Sequence, residues 1–265
     1  MIGRREEYEK MFRLEQRLWW YRILHERVLA ALRQRYGTRT DLRILDAGCG
    51  TGGLLTALRT AGYRDLTGLD GSADAVAFSQ ERGLNVHLLD LNHLADFEPG
   101  DASPGDASPN AEPYDAIICN DVFCYFDDVA LLTLLRELRR RLKPGGILIS
   151  NNNAFDVFRG SHDRAVGSQR RFIRADFDRL APQTGLTVAA STYWSLALSP
   201  LILAIRLWQS FQLRVGLQSP DAPASDVYFP GHLVNETLYR IVKAEEALLP
   251  RTPFGSSLFL VLKSS

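Results

Sequence analysis

Two patterns of apolar residues divide the chain. Over residues 5–35, apolar side chains such as Tyr8, Leu24 and Val28 recur near every 3.6 positions, which predicts a helix in two pieces that Gly37 closes. From Leu42 onward, short apolar runs alternate with helix-period segments. The runs at 42–46, 66–70, 85–90, 115–120 and 147–150 predict strands, with helices at 54–60, 73–82 and 129–142 between them. Strands separated in this way predict right-handed βαβ units and a parallel sheet.

The second half of the chain is less regular. Helices are predicted at 175–183, 201–215 and 234–249, and strands at 186–193 and 257–263. No charged residue occurs from Leu180 to Ile205, a length that raises the question of a membrane span. Pro182, Gly185 and Pro200 interrupt this stretch, and its first part alternates like a strand. We therefore predict a strand followed by a buried or interfacial helix.

A tandem repeat lies between the third and fourth predicted strands. The segment 99–109 contains Gly-Asp-Ala-Ser-Pro twice and few apolar groups. Such a segment cannot offset the entropy cost of its own ordering, so it is predicted to be a mobile surface loop without chemistry.

Charge and cysteine content exclude several classes of protein. Lys+Arg and Asp+Glu both number 31, so the net charge is zero. The chain therefore has no overall positive potential that would attract nucleic acid. The three cysteines are too few for a disulfide framework, and their spacing does not fit a metal site. The first residues lack the apolar core of a signal peptide, which favours a cytoplasmic location.

The strongest candidate for chemistry is the loop within Ile44–Gly53. Gly48, Gly50 and Gly52 let the backbone approach a ligand closely, and the helix that follows offers free N–H groups. Gly48, Gly50 and Gly53 also satisfy the G-x-G-x-x-G pattern of dinucleotide sites, with Asp70 about 20 residues further on. The loop alone therefore does not decide between a dinucleotide and another charged cofactor.

Three further features favour S-adenosylmethionine (SAM) over a dinucleotide. Asp46 stands two residues before the first glycine, Asp90 ends the third predicted strand, and Leu-Lys-Pro-Gly-Gly at 142–146 precedes the fifth. As a set spanning residues 44–150, these features resemble the class I SAM-dependent methyltransferases. The resemblance implies an α/β, Rossmann-like, mostly parallel sheet of seven strands in the order 3-2-1-4-5-7-6. Its seventh strand is antiparallel, and 257–263 fits it.

The resemblance also implies roles for individual residues. The glycine loop would hold the methionine portion of SAM, Asp70 would hold the ribose hydroxyls, and Asp90 with the backbone of Leu91 would face the adenine. Asn120 would lie under the methionine end. The cofactor-binding set predicted in this way is Asp46, Gly48, Cys49, Gly50, Gly52, Asp70, Gly71, Asp90, Leu91, Asn120 and Trp20.

The flanks show a narrower resemblance to a bacterial methyltransferase group often encoded near glycan, lipid and natural-product genes. Glu-Gln-Arg-Leu-Trp-Trp-Tyr at 15–21 resembles its E-x-x-H-W-W-[FY] opening, and 253–257 resembles its P-F-G-x-S element. Ser-His-Asp at 161–163 and 167–172 resemble its H-D and G-H-x-R-R-[YF] elements. Leu18 and Ser168 replace two histidines of the pattern, and Cys124-Tyr125 replaces its Glu-His.

Several polar residues are candidates for contact with a methyl acceptor. His162, after the fifth strand, is the candidate general base, and a loop histidine that only packs is the alternative. His25 reaches the site if the N-terminal helix forms a lid, and Asn152 follows the fifth strand. Arg170 and Arg171 suit an acidic or phosphorylated acceptor, or are ordinary surface arginines. One of Trp19, Trp20 and Tyr21 is expected in the core and another over the cofactor or acceptor.

The segment from Tyr193 to Trp208 is apolar over more than one helical face and carries one charge, Arg206. A helix of this composition buries itself in the core, lines an apolar acceptor pocket, or lies in a membrane interface. We rank these possibilities in that order. The second and third imply a hydrophobic acceptor.

The sequence therefore predicts a helical lid at 1–40, a SAM-binding domain at 41–194 and 255–265, and a helical cap at 195–254. The predicted function is methyl transfer, with oxygen favoured, to a small-molecule, glycan or lipid-type acceptor. A non-catalytic SAM-fold partner subunit and an NAD(P)-dependent dehydrogenase are the alternatives. A nucleic-acid acceptor is disfavoured by the zero net charge. The oligomeric state and the acceptor atom stay open.

Overall fold

The computed structural model describes residues 5–97, 112–214 and 228–264. The tandem repeat at 99–109 lies outside these ranges, so its prediction as a surface loop stays a prediction. Most of the polar connection between the two helices of the predicted cap lies outside them as well.

A seven-stranded sheet forms the centre of the molecule, in the order β3-β2-β1-β4-β5-β7-β6. The strands are β1 Arg43–Ala47, β2 Asp65–Asp70, β3 Val86–Leu88, β4 Tyr114–Ile118, β5 Leu142–Asn153, β6 Leu186–Trp194 and β7 Ser257–Ser264. The first five strands pair in parallel, and β7 pairs antiparallel with both β5 and β6. The predicted Rossmann-like fold and its strand order are confirmed.

Helices cover both faces of this sheet. They are α1 Arg5–Leu14, α2 Trp19–Tyr36, α3 Gly53–Thr60, α4 Ala73–Glu81, α5 Asp128–Arg140, α6 Ser161–Val166, α7 Arg174–Leu180, α8 Ser199–Arg214 and α9 His232–Leu248. The N-terminal helical region is in two pieces, and Gly37, at a φ of 67°, closes the second, as predicted.

Pairing with β7 makes β5 longer than the predicted 147–150. Asn152 pairs in register with Leu258, so residues 151–153 belong to the strand. They do not form a turn after it, and the expectation that they directly follow strand five is wrong. Two other strands are shorter than predicted: β3 ends at Leu88 and β4 at Ile118, which places Asp90 and Asn120 two residues beyond their strands.

The helix α2 is part of the core on one face of the sheet. Its side chains Ile23, Val28 and Leu32 are fully buried and share an apolar cluster with strands β1, β4 and β5. The opposite side of α2 packs on α9, where Arg27 and Glu246 form an ion pair with an N–O distance of 2.9 Å. Residues 1–40 thus cover the sheet and also contact the predicted cap, and the proposed division into lid, domain and cap stays a prediction.

The helix α8 is not buried in the core. Leu201, Leu207, Trp208 and Phe211 are each more than half exposed. Simple burial, which was ranked first for the segment 193–208, is therefore wrong for the helix, although Trp194 and Leu198 before it are buried in the core. The predicted order of a strand followed by a helix is confirmed. Among the residues that the structure describes, no helix is both long and apolar enough to cross a bilayer.

A buried ion pair connects the N-terminal helices to the end of α4. Glu15, between α1 and α2, is 3% exposed and lies 2.6 Å from Nη1 of Arg82, the residue that follows α4. Its carboxylate also accepts hydrogen bonds from the hydroxyl of Thr51 and the backbone N–H of Gly53, where α3 begins. These contacts hold the connection between α1 and α2 against the glycine loop.

Loss of this buried pair is expected to destabilise the protein strongly. Glu15→Ala leaves Arg82 without its buried counter-charge, which costs about 3–5 kcal/mol in the free energy of unfolding. Arg5→Ala is the matched control, because Arg5 joins α1 to Asp74 of α4 through an exposed ion pair worth at most about 1 kcal/mol. Urea denaturation of both variants measures the difference, and equal losses would contradict the role of Glu15.

Candidate functional site

A cavity of about 970 Å³ opens where the strands β1, β2 and β4 end. Parallel strands bring their carboxyl ends to one edge of a sheet, and this edge is where ligands bind in open α/β folds. Ten of the eleven predicted cofactor-binding residues line this cavity: Asp46, Gly48, Cys49, Gly50, Asp70, Gly71, Asp90, Leu91, Asn120 and Trp20. The exception, Gly52, is not among the lining residues.

Two positions of the glycine loop require glycine, because each has a positive φ and no room for a Cβ. Gly48 has a φ of 87°, and a Cβ there would lie 2.3 Å from a methyl group of Val122. Gly52 caps α3 at a φ of 79°, and a Cβ there would meet Leu84 at 2.4 Å. The backbone thus follows the floor of the cavity at Gly48 and packs against the protein at Gly52.

Asp70 connects the end of β2 to this loop. Its two carboxylate oxygens accept the backbone N–H groups of Gly50 and Ser72, each at 2.9 Å. Burial nevertheless raises the pKa of Asp70, although these two hydrogen bonds oppose the shift. A buried carboxylate in this position has oxygen lone pairs to offer to the hydroxyl groups of a ligand.

Two further acids share the same cavity. Burial raises the pKa of Asp46 to about 8, with added repulsion from Asp70 and Glu15. Burial also raises the pKa of Glu15 to about 7, although Arg82 opposes the shift. Three carboxyl groups crowded into one desolvated space favour a ligand that carries positive charge.

Aromatic side chains form the wall opposite the loop. Trp19, Trp20 and Tyr21 all line the cavity. All three are partly buried, and Trp19 and Trp20 pack against the apolar cluster that contains α2, so the expectation that one of them belongs to the core is met in part. Trp20 stacks on the buried Trp194, with ring centroids 5.7 Å apart. The faces of such rings attract cations such as a sulfonium.

His25 also lines the cavity, one turn beyond Tyr21 on α2. Burial lowers the pKa of His25 to about 4, and the charge of Arg82 adds to this shift. The imidazole is therefore neutral at physiological pH. It is able to form hydrogen bonds with an acceptor, but it is a weak proton acceptor.

The other predicted acceptor residues are not brought together. Arg171 lines the cavity and forms a buried ion pair with Asp163, with an N–O distance of 3.0 Å, so it is not an ordinary surface arginine. Arg170 pairs with Asp128 away from the cavity. Asn152 is buried in β5 and donates to the hydroxyl of Ser150, and it does not line the cavity.

The backbone of His162 belongs to α6, but its side chain lies outside the described part of the structure. Its role as a general base therefore stays a prediction. No group of three or more potential metal-ligating side chains occurs within residues 5–97, 112–214 and 228–264.

Three acids that line the cavity, Glu7, Glu15 and Asp121, were not among the predicted site residues. Asp121 follows Asn120 after β4, has a φ of 56° and lines the cavity. Burial raises its pKa to about 7, while Asn151 and Arg171 act in the opposite direction. The only signal in the sequence was its place next to the end of a strand.

The far half of the cavity is apolar. It is lined by the side chains Leu198, Leu201, Ile202, Ile205, Val234 and Leu238 from α8, α9 and their flanks. Arg206 and Gln209 of α8 line the cavity as well, and a hydrogen bond of 2.9 Å joins their side chains. The acids lie near the glycine loop, whereas the helices supply the apolar wall.

These features fit SAM. The crowded acids suit its ammonium and sulfonium charges, the aromatic wall suits the sulfonium, and the acids that follow β2 and β3 suit the ribose and adenine groups. When bound, SAM supplies an activated methyl group on a cationic sulfur.

Comparison with known proteins identifies relatives of this chain. A family model described as a methyltransferase domain matches residues 20–191. Ubiquinone biosynthesis O-methyltransferase of Rickettsia bellii is 28% identical over 160 residues, which cover 54% of this chain and 59% of that protein. Malonyl-[acyl-carrier protein] O-methyltransferase of Bacillus cereus is 27% identical over 140 residues, or 51% of this chain and 46% of that protein. The chain thus spans less than two thirds of the length of these relatives.

A solved structure shows the same fold. Magnesium protoporphyrin IX methyltransferase from Synechocystis PCC 6803, with bound SAM, superposes with a TM-score of 0.50 at 16% identity, over 91% of this chain and 78% of that one. The family match and the superposed structure agree on the fold of this chain. Because the family model covers more than half of the sequence, this chain belongs to the methyltransferase-domain family.

Proposed function

We propose that this protein transfers the methyl group of SAM to a hydroxyl group of a small, largely apolar acceptor. The observation that carries the proposal is the two-part cavity, with acids around a glycine loop and a wall of aliphatic side chains from α8 and α9. The relatives are named O-methyltransferases, which favours oxygen as the acceptor atom.

The exposed position of α8 supports an apolar acceptor. Its residues Ile202 and Ile205 line the cavity, yet no core cluster buries the helix as a whole. Aliphatic side chains that line a ligand cavity gain their burial when an apolar ligand covers them. A glycan would leave its hydroxyl groups without partners against this wall, so an apolar acceptor fits better than a sugar.

In the proposed site, the carboxylate of Asp70 accepts hydrogen bonds from the ribose hydroxyl groups of SAM. Asp70→Ala is expected to weaken SAM binding by roughly 1–3 kcal/mol, as for lost hydrogen bonds to a charged group. Asp65→Ala is the control, because Asp65 is an exposed acid at the opposite end of the same strand. Isothermal titration of both variants with SAM measures the effect, and an unchanged affinity in folded Asp70→Ala would refute the assignment.

Proton release on binding tests the acid cluster. Burial raises the pKa of Asp46 to about 8, and Asp46 has no ion-pair partner among the described contacts, so we expect it to carry a proton near neutral pH. A cationic ligand stabilises the ionised form of Asp46, so SAM binding releases protons and its affinity rises as pH rises towards 8. S-adenosylhomocysteine (SAH) lacks the sulfonium charge and should release fewer protons. Isothermal titrations in buffers of different ionisation enthalpy measure the number of protons that each ligand releases on binding. Equal release by SAM and SAH would contradict the prediction.

The proposal of an apolar acceptor is tested with phenols that carry alkyl chains of increasing length. The methyl donor in this assay is SAM labelled on its methyl group. We expect methylation efficiency, kcat/KM, to rise with chain length in the wild type. Ile205→Trp fills the cavity, so it should reduce kcat/KM most for the longest chains and leave SAM affinity unchanged. Leu207→Trp is the matched control, since Leu207 lies on the same helix and is 72% exposed. No dependence on chain length, or equal effects of the two variants, would count against an apolar acceptor.

A further inference from the structure

The backbone at Asp121 is held in a conformation that non-glycine residues rarely adopt. Its φ is 56°, in the left-handed region, and its N–H donates to the carbonyl of Asn151 at 2.7 Å. Such strain persists where the surrounding structure fixes it, and it occurs often at functional sites. The strain places Asp121 at the end of β4, on the lining of the cavity.

A chain of buried hydrogen bonds orients the carboxylate of Asp121. The indole Nε1 of Trp194 donates to Oδ1 of Asn151 at 2.9 Å. An indole N–H only donates, so this bond fixes which end of the Asn151 amide faces Trp194. The amide nitrogen, Nδ2, must then face Asp121, where it lies 3.2 Å from both carboxylate oxygens. Asn151 and Trp194 are both fully buried, so the carboxylate cannot turn without breaking the chain.

The carboxylate keeps capacity to accept a further hydrogen bond. The amide of Asn151 is one neutral donor shared between two oxygens, whereas a carboxylate has about four lone-pair positions. The nearby cation, Arg171, directs its donors to Asp163 and to the carbonyl of Ala154. The other titratable groups that act electrostatically with Asp121 are Tyr21, Cys119, Cys124 and Tyr125.

Among the described side chains of the cavity, Asp121 is better suited to take a proton than His25. A general base works best when its pKa is near the working pH. The pKa of Asp121 is about 7, whereas that of His25 is about 4. His25 therefore suits hydrogen bonding. Asp46 and Glu15 also have pKa values near neutrality, about 8 and about 7, but Asp46 is assigned to the cofactor and Glu15 is paired with Arg82, which leaves Asp121 for proton transfer.

We propose that Asp121 is the catalytic base that takes the proton from the acceptor hydroxyl. This inference rests on the proposed transfer of a methyl group to oxygen. The O–H bond of the acceptor breaks and its proton goes to a carboxylate oxygen of Asp121. A lone pair of the acceptor oxygen forms the new bond to the methyl carbon, and the electron pair of the broken C–S bond stays on the sulfur. Asp121 afterwards releases the proton to solvent, so one proton is formed for each methyl ether.

The test compares a phenol with the matching thiophenol, each carrying the same alkyl chain. The phenol is largely protonated at neutral pH and needs a base, whereas the thiophenol is largely ionised and needs none. Asp121→Asn is the main variant, because asparagine tolerates the left-handed backbone. Asp121→Gly also removes the carboxylate without backbone strain, so it serves as a second variant if the first folds poorly.

We expect Asp121→Asn to lower kcat for the phenol by roughly 10²–10⁴-fold, the usual contribution of a general base, with a far smaller effect on the thiophenol. Affinity for SAM and SAH, measured by titration without any acceptor, should stay close to that of the wild type. Asp127→Asn is the control, because Asp127 is an exposed acid that caps α5 and asparagine caps a helix equally well.

Three other results would overturn the role of Asp121 as a base, and they are distinguishable from one another. Equal losses for the phenol and the thiophenol, or a large loss of SAM affinity, would overturn the role as a base and assign Asp121 to cofactor binding or structure. If the wild type methylates neither compound, the proposed function itself fails and this inference fails with it. Methylation of both by the wild type, with no loss in the variant, would overturn the role of Asp121 alone.

Discussion

Burial of carboxylates beside the glycine loop is the constraint on which the rest of the structure depends. Asp46, Asp70 and Glu15 approach the same loop, and burial raises the pKa of each. Arg82 stabilises only Glu15 directly, through the ion pair that also fixes the N-terminal helices over the sheet. Among the described contacts, Asp46 and Asp70 have no ion pair of this kind. A cationic cofactor would stabilise their ionised forms, which connects the burial of these acids to the ligand that the site prefers.

The elements of the fold were predictable because each depends on local periodicity, whereas their exact extent depends on pairing. The alternation of apolar runs and helix-period segments predicted the strands, and the resemblance of the loops to a known family implied their order. The length of β5 was not predictable, because residues 151–153 join the strand by pairing with β7, about a hundred positions away. Asn152 consequently turns out to be buried in the sheet instead of free for a ligand.

The cofactor-binding part of the site was predictable where its residues stand in the glycine loop or near the ends of strands. Asp46, Gly48 and Asp70 stand at fixed positions around the ends of strands, and the structure brings them into one cavity. Asp121 was missed because its significance comes from Asn151 and Trp194, which belong to two other strands. The composition of α8 likewise could not distinguish core burial from the lining of a cavity, since both require the same apolar residues.

The two halves of the cavity also explain why a base at Asp121 is compatible with an apolar acceptor. An aliphatic wall excludes water from the hydroxyl group, which makes proton loss to solvent harder before methyl transfer. A carboxylate fixed by buried neighbours supplies the missing proton acceptor without needing to reorganise. Burial raises the pKa of this carboxylate to about 7, so the cavity that receives the acceptor holds a base suited to neutral pH.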